Sequence, residues 1–423
     1  MLETAARLRL LTCMLLLAVA LPASAQSLVV RADRMLDVER GEVVGPAVVV
    51  VEGGRIQSVN PDRVPDGAEV IDLGDVTLVP GLMDMHTHLM VDLSPNMQLR
   101  MVTETTPDWT IRGVVNARTT LMAGFTTVRD VGSGDFIDVA LAKASDAGRI
   151  AAPRIIPAGH ALSTTGGHGD AGGFIPGLLE STPEQGVADG VDEVVRAVRY
   201  QIKHGAKVIK VSATAGVLSF EEAVGAQQYS YDELEAIVEE AARHGIKVAA
   251  HAHGTEGIIA AVKAGVASIE HGSMLSDEAI ALMKEHGTYL VPTTYLVDAV
   301  PLAMLPPPIR AKGERVIPLA KASLQRALAA GVKVAFGTDA GVYPHGDNGK
   351  EFAALVDRGM TPLEALRSAT LNAADLLGVE DRGRIAPGLL ADLAAVPGNP
   401  LDDIRVMEDV RFVMKGGVVF KRP

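Results

Sequence analysis

The sequence predicts an α/β protein, a (β/α)8 TIM barrel joined to a small β-sandwich domain that both chain ends form together. Three observations predict this fold. The chain has 423 residues, which is enough for a barrel and a modest second domain. Across residues 79–384, apolar strand-like runs alternate with amphipathic helical runs. Residues 27–78 and 385–423 instead carry short β-type runs separated by turn residues.

The composition favours a packed globular protein over a disordered one. Hydrophobic residues make up 48% of the chain and charged residues 22%. There are 39 Lys and Arg residues against 52 Asp and Glu residues, so the formal net charge is −13. Because no basic stretch offsets this balance, we expect no nucleic acid partner.

The first 26 residues resemble a secretory signal peptide rather than part of the fold. Arg7 and Arg9 precede an apolar run at 10–21, and small residues at 23–25 supply a cleavage site before Gln26. An N-terminal membrane anchor is the alternative, but this run is well short of the roughly 20 residues that span a bilayer. We therefore expect a periplasmic or secreted protein that has no membrane attachment after cleavage.

The only cysteine, Cys13, lies inside this predicted signal peptide. The mature chain would then contain no disulfide, no cysteine nucleophile and no thiolate metal ligand.

The barrel strands are predicted where short apolar runs end in polar or charged residues. Helical runs lie between them, such as 231–244, which keeps Leu234, Ile237 and Ala241 on one face. The eight predicted strands are 82–89, 125–131, 153–159, 206–212, 246–253, 266–271, 288–294 and 332–338.

Chemically reactive side chains collect at the carboxyl ends of these strands, where the functional residues of such barrels lie. His86 and His88 point to the same face because side chains alternate along a strand. His251 and His253 share a face for the same reason. The full set comprises His86, His88, Lys210, His251, His253, His271 and Asp339.

This set predicts a centre for two divalent metal ions. Neutral imidazoles and a carboxylate suit a borderline ion, and zinc is favoured. Lys210 could be an ordinary lysine paired with a buried acid. Among cations, however, a desolvated amine is better explained as a carbamate formed with CO2 that bridges the ions. Two ions about 3.5–4 Å apart would hold a bridging hydroxide, and Asp339 would ligate and move the proton to the leaving nitrogen.

The residues resemble the amidohydrolase superfamily. The segment 80–88, Pro-Gly-Leu-Met-Asp-Met-His-Thr-His, is similar to its first-strand signature. The resemblance implies a six-ligand binuclear pattern and makes His253 a substrate-facing neighbour of the ligand His251. The implied ligands are His86, His88, Lys210, His251, His271 and Asp339, with Asp339 also catalytic.

Three further segments are similar to one subgroup of that superfamily, which contains Xaa-Pro and Xaa-Arg/Lys dipeptidases and enzymes that cleave the amide of ochratoxin. The segments are 165–170, 228–230 and 345–346. The resemblance implies a small-molecule amide or dipeptide substrate whose nitrogen belongs to an amino acid with a free carboxylate. It implies substrate contacts from His168, Tyr229 and His253, leaves the roles of His160 and His345 open, and suggests a homo-oligomer.

Two other functions compete with amide hydrolysis. Hydrolytic deamination or ring opening of a heterocycle is disfavoured by Lys210, because deaminases of this superfamily commonly use one metal and no bridging lysine. A non-catalytic homologue is disfavoured because all six ligands are present.

Three further histidines need no catalytic role. His204, His244 and His286 each precede a glycine at a predicted helix end, where an imidazole complements the helix dipole.

Overall fold

A computed structural model of the protein describes residues 27–92, 94, 96–219, 223–300 and 302–423. The predicted signal peptide, residues 1–26, lies outside the described residues. Within them the protein is a mixed α/β structure, as the sequence predicts. None of the described helices combines the length and the apolar character needed to cross a membrane.

The strands fall into a β-rich part, whose sheets are mostly antiparallel, and a parallel part. The strands are β1 (Leu28–Ala32), β2 (Arg34–Asp37), β3 (Glu42–Val44), β4 (Ala47–Glu52), β5 (Arg55–Val59), β6 (Glu69–Asp72), β7 (Thr77–Pro80), β8 (Leu82–Thr87), β9 (Phe125–Asp130), β10 (Arg154–Pro157), β11 (Val208–Ser212), β12 (Lys247–Ala252), β13 (Ser268–His271), β14 (Tyr289–Val291), β15 (Leu393–Val396), β16 (Phe412–Lys415) and β17 (Val418–Lys421).

The helices follow the parallel strands along the chain. They are α1 (Met97–Thr103), α2 (Thr106–Met122), α3 (Ile137–Asp146), α4 (Val191–His204), α5 (Tyr231–Arg243), α6 (Thr255–Ala264), α7 (Asp277–His286), α8 (Leu296–Ala299), α9 (Pro307–Ala330), α10 (Lys350–Asp357), α11 (Pro362–Ser368) and α12 (Leu371–Leu377).

Strands from both chain ends share one sheet in the β-rich part. That sheet has the order β17-β16-β15-β7-β2-β3, and a second sheet has the order β5-β4-β1-β6. Side chains of the two sheets meet in one apolar cluster, in which Val49 and Ile56 of the second sheet join Leu78, Leu393 and Phe412 of the first. Burying one face of each sheet against the other stabilises both.

The parallel strands form two sheets, β10-β9-β8 and β11-β12-β13-β14. Isolated parallel bridges join their edges, since Leu162 pairs with Val211 and Leu290 pairs with Val334. A third bridge, between Thr87 and Ala340, brings the segment 334–340 back to β8. The carboxyl ends of these strands therefore lie close together.

The segment predicted as the eighth strand, 332–338, is not a regular strand in the structure. Its backbone makes single hydrogen bonds to several elements instead of a continuous ladder. Phe336 N donates to Ser368 O over 3.0 Å, and Phe336 O accepts from Met85 N over 2.8 Å. The Val334 carbonyl accepts from the Asn372 side chain. Other bonds of this segment go to β14, since Leu290 N donates to Lys333 O and Ala335 N donates to Leu290 O. Because the bonds are divided among β8, β14 and helix residues, only isolated bridges form, and the prediction of a regular strand was wrong.

Glycine residues end the helices that carry the three peripheral histidines. α4 ends at His204 before Gly205 at φ 115°, and α7 ends at His286 before Gly287 at φ 69°. His244 follows the last residue of α5 and precedes Gly245. Because glycine adopts positive φ without strain, these ends confirm the predicted helix termini.

Candidate metal centre

The end of β8 brings two imidazoles to one carboxylate. The Nε2 atoms of His86 and His88 each lie 3.4 Å from Oδ1 of Asp339. One potential ligand atom from each of the three residues lies within 4.8 Å of the other two. The sequence predicted this convergence from the two-residue period of a strand and from the position of Asp339.

A buried ion pair fixes the orientation of the His86 ring. Its Nδ1 lies 2.8 Å from Oε2 of Glu270, whose other oxygen accepts from Arg129 Nη2 over 2.8 Å. Burial alone would raise the pKa of Glu270, but the Arg129 guanidinium and the His86 hydrogen bond lower it to about 2. An ionised Glu270 holds the proton of His86 on Nδ1, which leaves the Nε2 lone pair directed towards Asp339.

His251 and His271 lie at the ends of the adjacent strands β12 and β13, with ring centroids 4.9 Å apart. His271 Nδ1 lies 2.7 Å from Oγ1 of Thr293. The Nε2 atom of His251 is buried without a hydrogen-bond partner among the described residues. A buried polar atom without a partner is costly in a protein interior, and a metal ion would satisfy it.

Lys210 lies on β11 and is almost fully buried within the same cavity. Burial lowers its pKa to about 8, although Glu270 and Asp339 oppose that change. Burial would also raise the pKa of Asp339, but His86, His88 and His271 hold it below its ordinary value. Asp339 is therefore an ionised carboxylate at neutral pH, and Lys210 is an amine that loses its proton easily.

Burial disfavours the charged forms of five histidines in the cavity. Burial lowers the pKa of His88 and of His168 to about 4 and that of His253 to about 3. It lowers the pKa values of His251 and His271 further below the usual range. Neutral imidazoles with one carboxylate and a desolvated amine are the donor set that a divalent metal needs. The residues present therefore fit such a centre.

The six predicted ligands line one cavity with a volume of about 570 Å³. His168 and His253 line it as well, as the sequence predicted for substrate contacts. The His168 ring lies parallel to that of His251, with centroids 3.9 Å apart and planes at 16°. Its Nδ1 lies 2.9 Å from Ser219 Oγ, and His253 Nδ1 lies 2.7 Å from Ser273 Oγ.

Tyr229 does not reach this cavity. Its side chain is fully buried, and its hydroxyl donates to the Ala188 carbonyl over 3.2 Å. Burial raises its pKa above the usual range, so the hydroxyl stays protonated. The predicted contact between Tyr229 and a substrate carboxylate has no support in this geometry, because the ring packs into the hydrophobic core.

His160 and His345, whose roles the sequence left open, lie in different environments in the structure. His160 lines the cavity, where its Nδ1 lies 3.2 Å from Gln201 Oε1 and its Nε2 accepts from Asp135 N. His345 lies instead between Thr120 Oγ1, at 3.3 Å, and the Val91 carbonyl, at 3.2 Å. His345 is thus a packing residue beside the segment that follows β8.

A buried hydrogen-bond network around Asp84, which the sequence analysis missed, holds the segments that carry the predicted ligands. Asp84 accepts from the backbone N–H groups of His86 and Thr338, and from the side chains of Thr338 and Asn348. Burial raises its pKa to about 6 against the effect of these hydrogen bonds. The network ties β8 to the segment that carries Asp339. A charged residue inside an apolar strand, such as Arg129 or Asp84, was the available signal, since buried charges require partners.

Three residues at this site adopt the left-handed backbone conformation without being glycine. The φ angles are 70° for His271, 47° for Thr293 and 60° for Asp339. Such conformations cost roughly 1–3 kcal/mol each and persist where the surrounding structure enforces them. Here they turn the side chains of His271 and Asp339 into the cavity.

The chain is similar in sequence to proteins of known family. The model of the amidohydrolase family matches residues 77–420. An ochratoxinase of Aspergillus niger is 39% identical over 372 residues, which cover 82% of this chain and 76% of that protein.

Two solved structures resemble the whole fold. A Xaa-Pro dipeptidase with methionine bound in its active site is 39% identical, with a TM-score of 0.90 over 94% of this chain and 100% of the other. A prolidase complexed with N-methylphosphonate-L-proline is 36% identical, with a TM-score of 0.86 over the same shares of the two chains.

Proposed function

The chain belongs to the amidohydrolase family, and from this premise we propose that it hydrolyses an amide or peptide bond next to a free carboxylate. The observation that carries the proposal is the convergence of His86, His88 and Asp339 in a cavity that the other three predicted ligands also line. The relatives support the choice of bond. One is named an ochratoxinase, one is described as a Xaa-Pro dipeptidase with bound methionine, and one is a prolidase complexed with a proline derivative.

We propose that the six ligands hold two divalent metal ions, with zinc favoured, and that Lys210 carries a carbamate formed with CO2. The lowered pKa of the Lys210 amine supports this, because only an unprotonated amine reacts with CO2. The Nε2 atom of His251 that lacks a partner supports a ligand there. When bound, such ions supply Lewis acidity, which polarises a carbonyl and activates water at neutral pH.

The residues of the chain would then handle the protons. Asp339 is ionised and lies in the cavity, so it can accept a proton from the attacking water and pass it to the leaving nitrogen. The water oxygen forms a bond to the carbonyl carbon, the carbon–nitrogen bond breaks, and the amino acid leaves with the proton. His168 and His253 line the cavity, where their ring N–H groups can bind the carbonyl or carboxylate of the substrate.

We also propose that the parallel strands and the segment 334–340 close a (β/α)8 barrel over 79–384, with 27–78 and 385–423 as a composite β-domain. The three parallel bridges between sheet edges support the closure. The proposal extends to removal of residues 1–26 as a signal peptide, to a periplasmic or secreted location, and to a homo-oligomer.

The test is a metal count combined with paired substrates. The protein without residues 1–26 is purified, its metal content per chain is measured, and hydrolysis of N-acyl amino acids and dipeptides is compared with that of their methyl esters. We expect about two metals per chain, cleavage of free acids, and almost none of the esters. Equal cleavage of esters would overturn the carboxylate requirement. About one metal with no amide cleavage would favour deamination or ring opening of a heterocycle.

A matched pair of variants assigns the metal to the cavity. His251→Asn removes a predicted ligand and is expected to reduce the metal content, with loss of hydrolysis. His286→Asn changes the same residue type at the end of α7, outside the cavity, and is expected to retain the metal and the activity. Equal metal content in both variants would show that His251 is not a ligand.

A further inference from the structure

One side of the cavity is apolar. This apolar wall consists of α8, Val300, Leu302 and the first half of α9. Its side chains line the same cavity as the six predicted ligands. They are Leu296, Val297, Val300, Leu302, Val316 and Ile317.

Few charges face this wall. Among the described residues that line the cavity, the only carboxylates are those of Asp170 and Asp339. Asp339 is one of the six proposed metal ligands. The carboxylate of Asp170 accepts backbone N–H groups from Gly166 and Ala171, each over 2.8 Å. A cationic substituent placed against the wall would lose its hydration without gaining a counterion there, which is costly.

The cavity is also larger than the reacting amide and its carboxylate require. Its volume of about 570 Å³ lies in the range of sites that enclose a drug-sized ligand. Because the apolar wall lines part of this space, an occupant with a large hydrocarbon surface gains the most from burial there.

We propose that the substrate carries a large uncharged apolar group, aliphatic or aromatic, that packs on this wall. The substrate class is then an N-acyl amino acid or dipeptide with an apolar substituent next to the scissile amide, and cationic side chains at the same position are rejected. This inference rests on the proposed amide hydrolysis and narrows it.

Dipeptides that contain norleucine or lysine test the inference, because the two side chains have similar length and differ in charge. We compare kcat/KM for leucyl-norleucine with leucyl-lysine, and for norleucyl-leucine with lysyl-leucine. In at least one pair, norleucine is expected to be preferred by about a hundredfold, given the cost of burying an unpaired charge. Similar kcat/KM values in both pairs would overturn the inference. Cleavage of no dipeptide or N-acyl amino acid would instead overturn the proposed function.

A variant that places an acid on the wall makes the test sharper. Ile317→Glu introduces a carboxylate into the cavity and is expected to move the preference towards lysine by at least tenfold. Leu319→Glu is the matched control, because it lies on the same helix, is 44% exposed and does not line the cavity. Leu296→Glu, on α8, gives a second variant if Ile317→Glu does not fold. An unchanged preference in the folded variant would contradict the assigned wall.

A separate observation concerns how His271 is held. Thr293, whose hydroxyl lies 2.7 Å from His271 Nδ1, has a φ of 47°, an unusual conformation for a β-branched residue. The next two residues are anchored from a distant helix. Glu351 on α10 is fully buried, and its two oxygens accept Thr294 N over 2.8 Å and Tyr295 N over 2.6 Å.

We infer that Glu351 is a positioning residue for the metal centre. By holding both backbone N–H groups, it maintains the strained turn that presents the Thr293 hydroxyl to His271. This hydroxyl fixes the ring orientation of His271, and such outer partners change metal affinity by roughly 10–100-fold. The inference rests on the proposed metal centre.

Competition with a chelating indicator measures metal affinity without activity. Glu351→Gln is expected to weaken binding of at least one ion by about tenfold. Glu364→Gln is the control, because Glu364 also accepts a backbone N–H, that of Thr361, but at the exposed start of α11. A lowered Tm in Glu351→Gln with unchanged metal affinity would overturn the inference.

If Glu351→Gln does not fold, Thr293→Val tests the contact between the Thr293 hydroxyl and His271. The substitution removes the hydroxyl and keeps the branched shape, so it is expected to weaken metal binding in the same direction. Unchanged affinity in this variant would also overturn the inference. If the unmodified protein binds no divalent metal, the proposed centre fails rather than the role of Glu351.

Discussion

The cavity and the β-rich part bury their side chains in opposite ways. Around the cavity, charged and polar residues such as Asp84, Arg129, Lys210 and Glu270 are buried in hydrogen-bonded networks. The cluster between the two sheets of the β-rich part consists of apolar side chains, with Phe412 fully buried among them. Burial of apolar surface stabilises a fold directly, whereas buried polar groups at best compensate their desolvation. The β-rich part therefore contributes stability, and the cavity contributes chemistry.

Replacing Asp339 should have the largest effect on activity. Asp339→Asn keeps the size of the side chain and removes its charge and its ability to accept a proton. We expect kcat/KM to fall by about a thousandfold or more, while the protein remains folded. Steady-state kinetics and thermal unfolding measure the two quantities. Asp347→Asn, at a partly exposed position paired with Lys350, is the control and should keep its activity. Substantial activity in Asp339→Asn would contradict the assigned role.

Replacing Phe412 should have the largest effect on stability. Phe412→Ala empties a fully buried position between the sheets and is expected to lower the free energy of unfolding by about 3–5 kcal/mol. The kcat of the folded fraction should be unchanged, because the residue lies in the β-rich part. Chemical denaturation and kinetics at low temperature test both expectations. A large loss of kcat would show that the two regions are not separable.

Removing a single hydroxyl at the cavity should have a moderate effect on activity. Ser273→Ala deletes the partner of His253 Nδ1 and is expected to lower kcat/KM about tenfold, the effect of one lost hydrogen bond. Ser145→Ala is the control, because Ser145 is equally buried but bonds to Lys415 and to backbone carbonyls near the β-rich part. The control should lose stability without losing activity. Equal kinetics in the two variants would argue against a role for His253.

The smallest expected effect concerns an ion pair on the outer helices. The hydrogen-bonded Arg199 guanidinium lowers the pKa of Glu240 to about 2. Because the folded pKa lies below that of the unfolded chain, the pair stabilises the fold above about pH 4.5 and loses this effect as the pH falls towards 2. Arg199 is largely exposed, so we expect about 1 kcal/mol or less. In Glu240→Gln, the free energy of unfolding should fall less steeply as the pH is lowered from 4.5 to 2. The same pH dependence in the variant and the unmodified protein would contradict this.

The sequence was sufficient to predict the positions of the six ligand residues, because these follow from regular strand geometry. The two-residue period of β8 placed His86 and His88 on one face, and the order of the parallel strands placed Lys210, His251, His271 and Asp339 at the same end. Their shared cavity was therefore predictable from local patterns.

Contacts between distant segments were not predictable in this way. Glu351 lies on a helix 56 residues after Tyr295, the second residue whose backbone it holds, and nothing in its local pattern distinguishes it from an exposed glutamate. Tyr229 lies in a loop, whose path depends on tertiary packing rather than on periodicity. The segment 332–338 has the composition of a strand, but its backbone hydrogen bonds are divided among β14, β8 and helix residues, so no continuous ladder forms.

The positive φ angles of His271, Thr293 and Asp339 have a consequence for how this protein can change over evolutionary time. Glycine at any of the three positions would relieve backbone strain, although it would also delete a side chain that lines the cavity. Selection for heat resistance alone would therefore favour sequences that lose the site. Only continued selection for turnover keeps these three side chains in place.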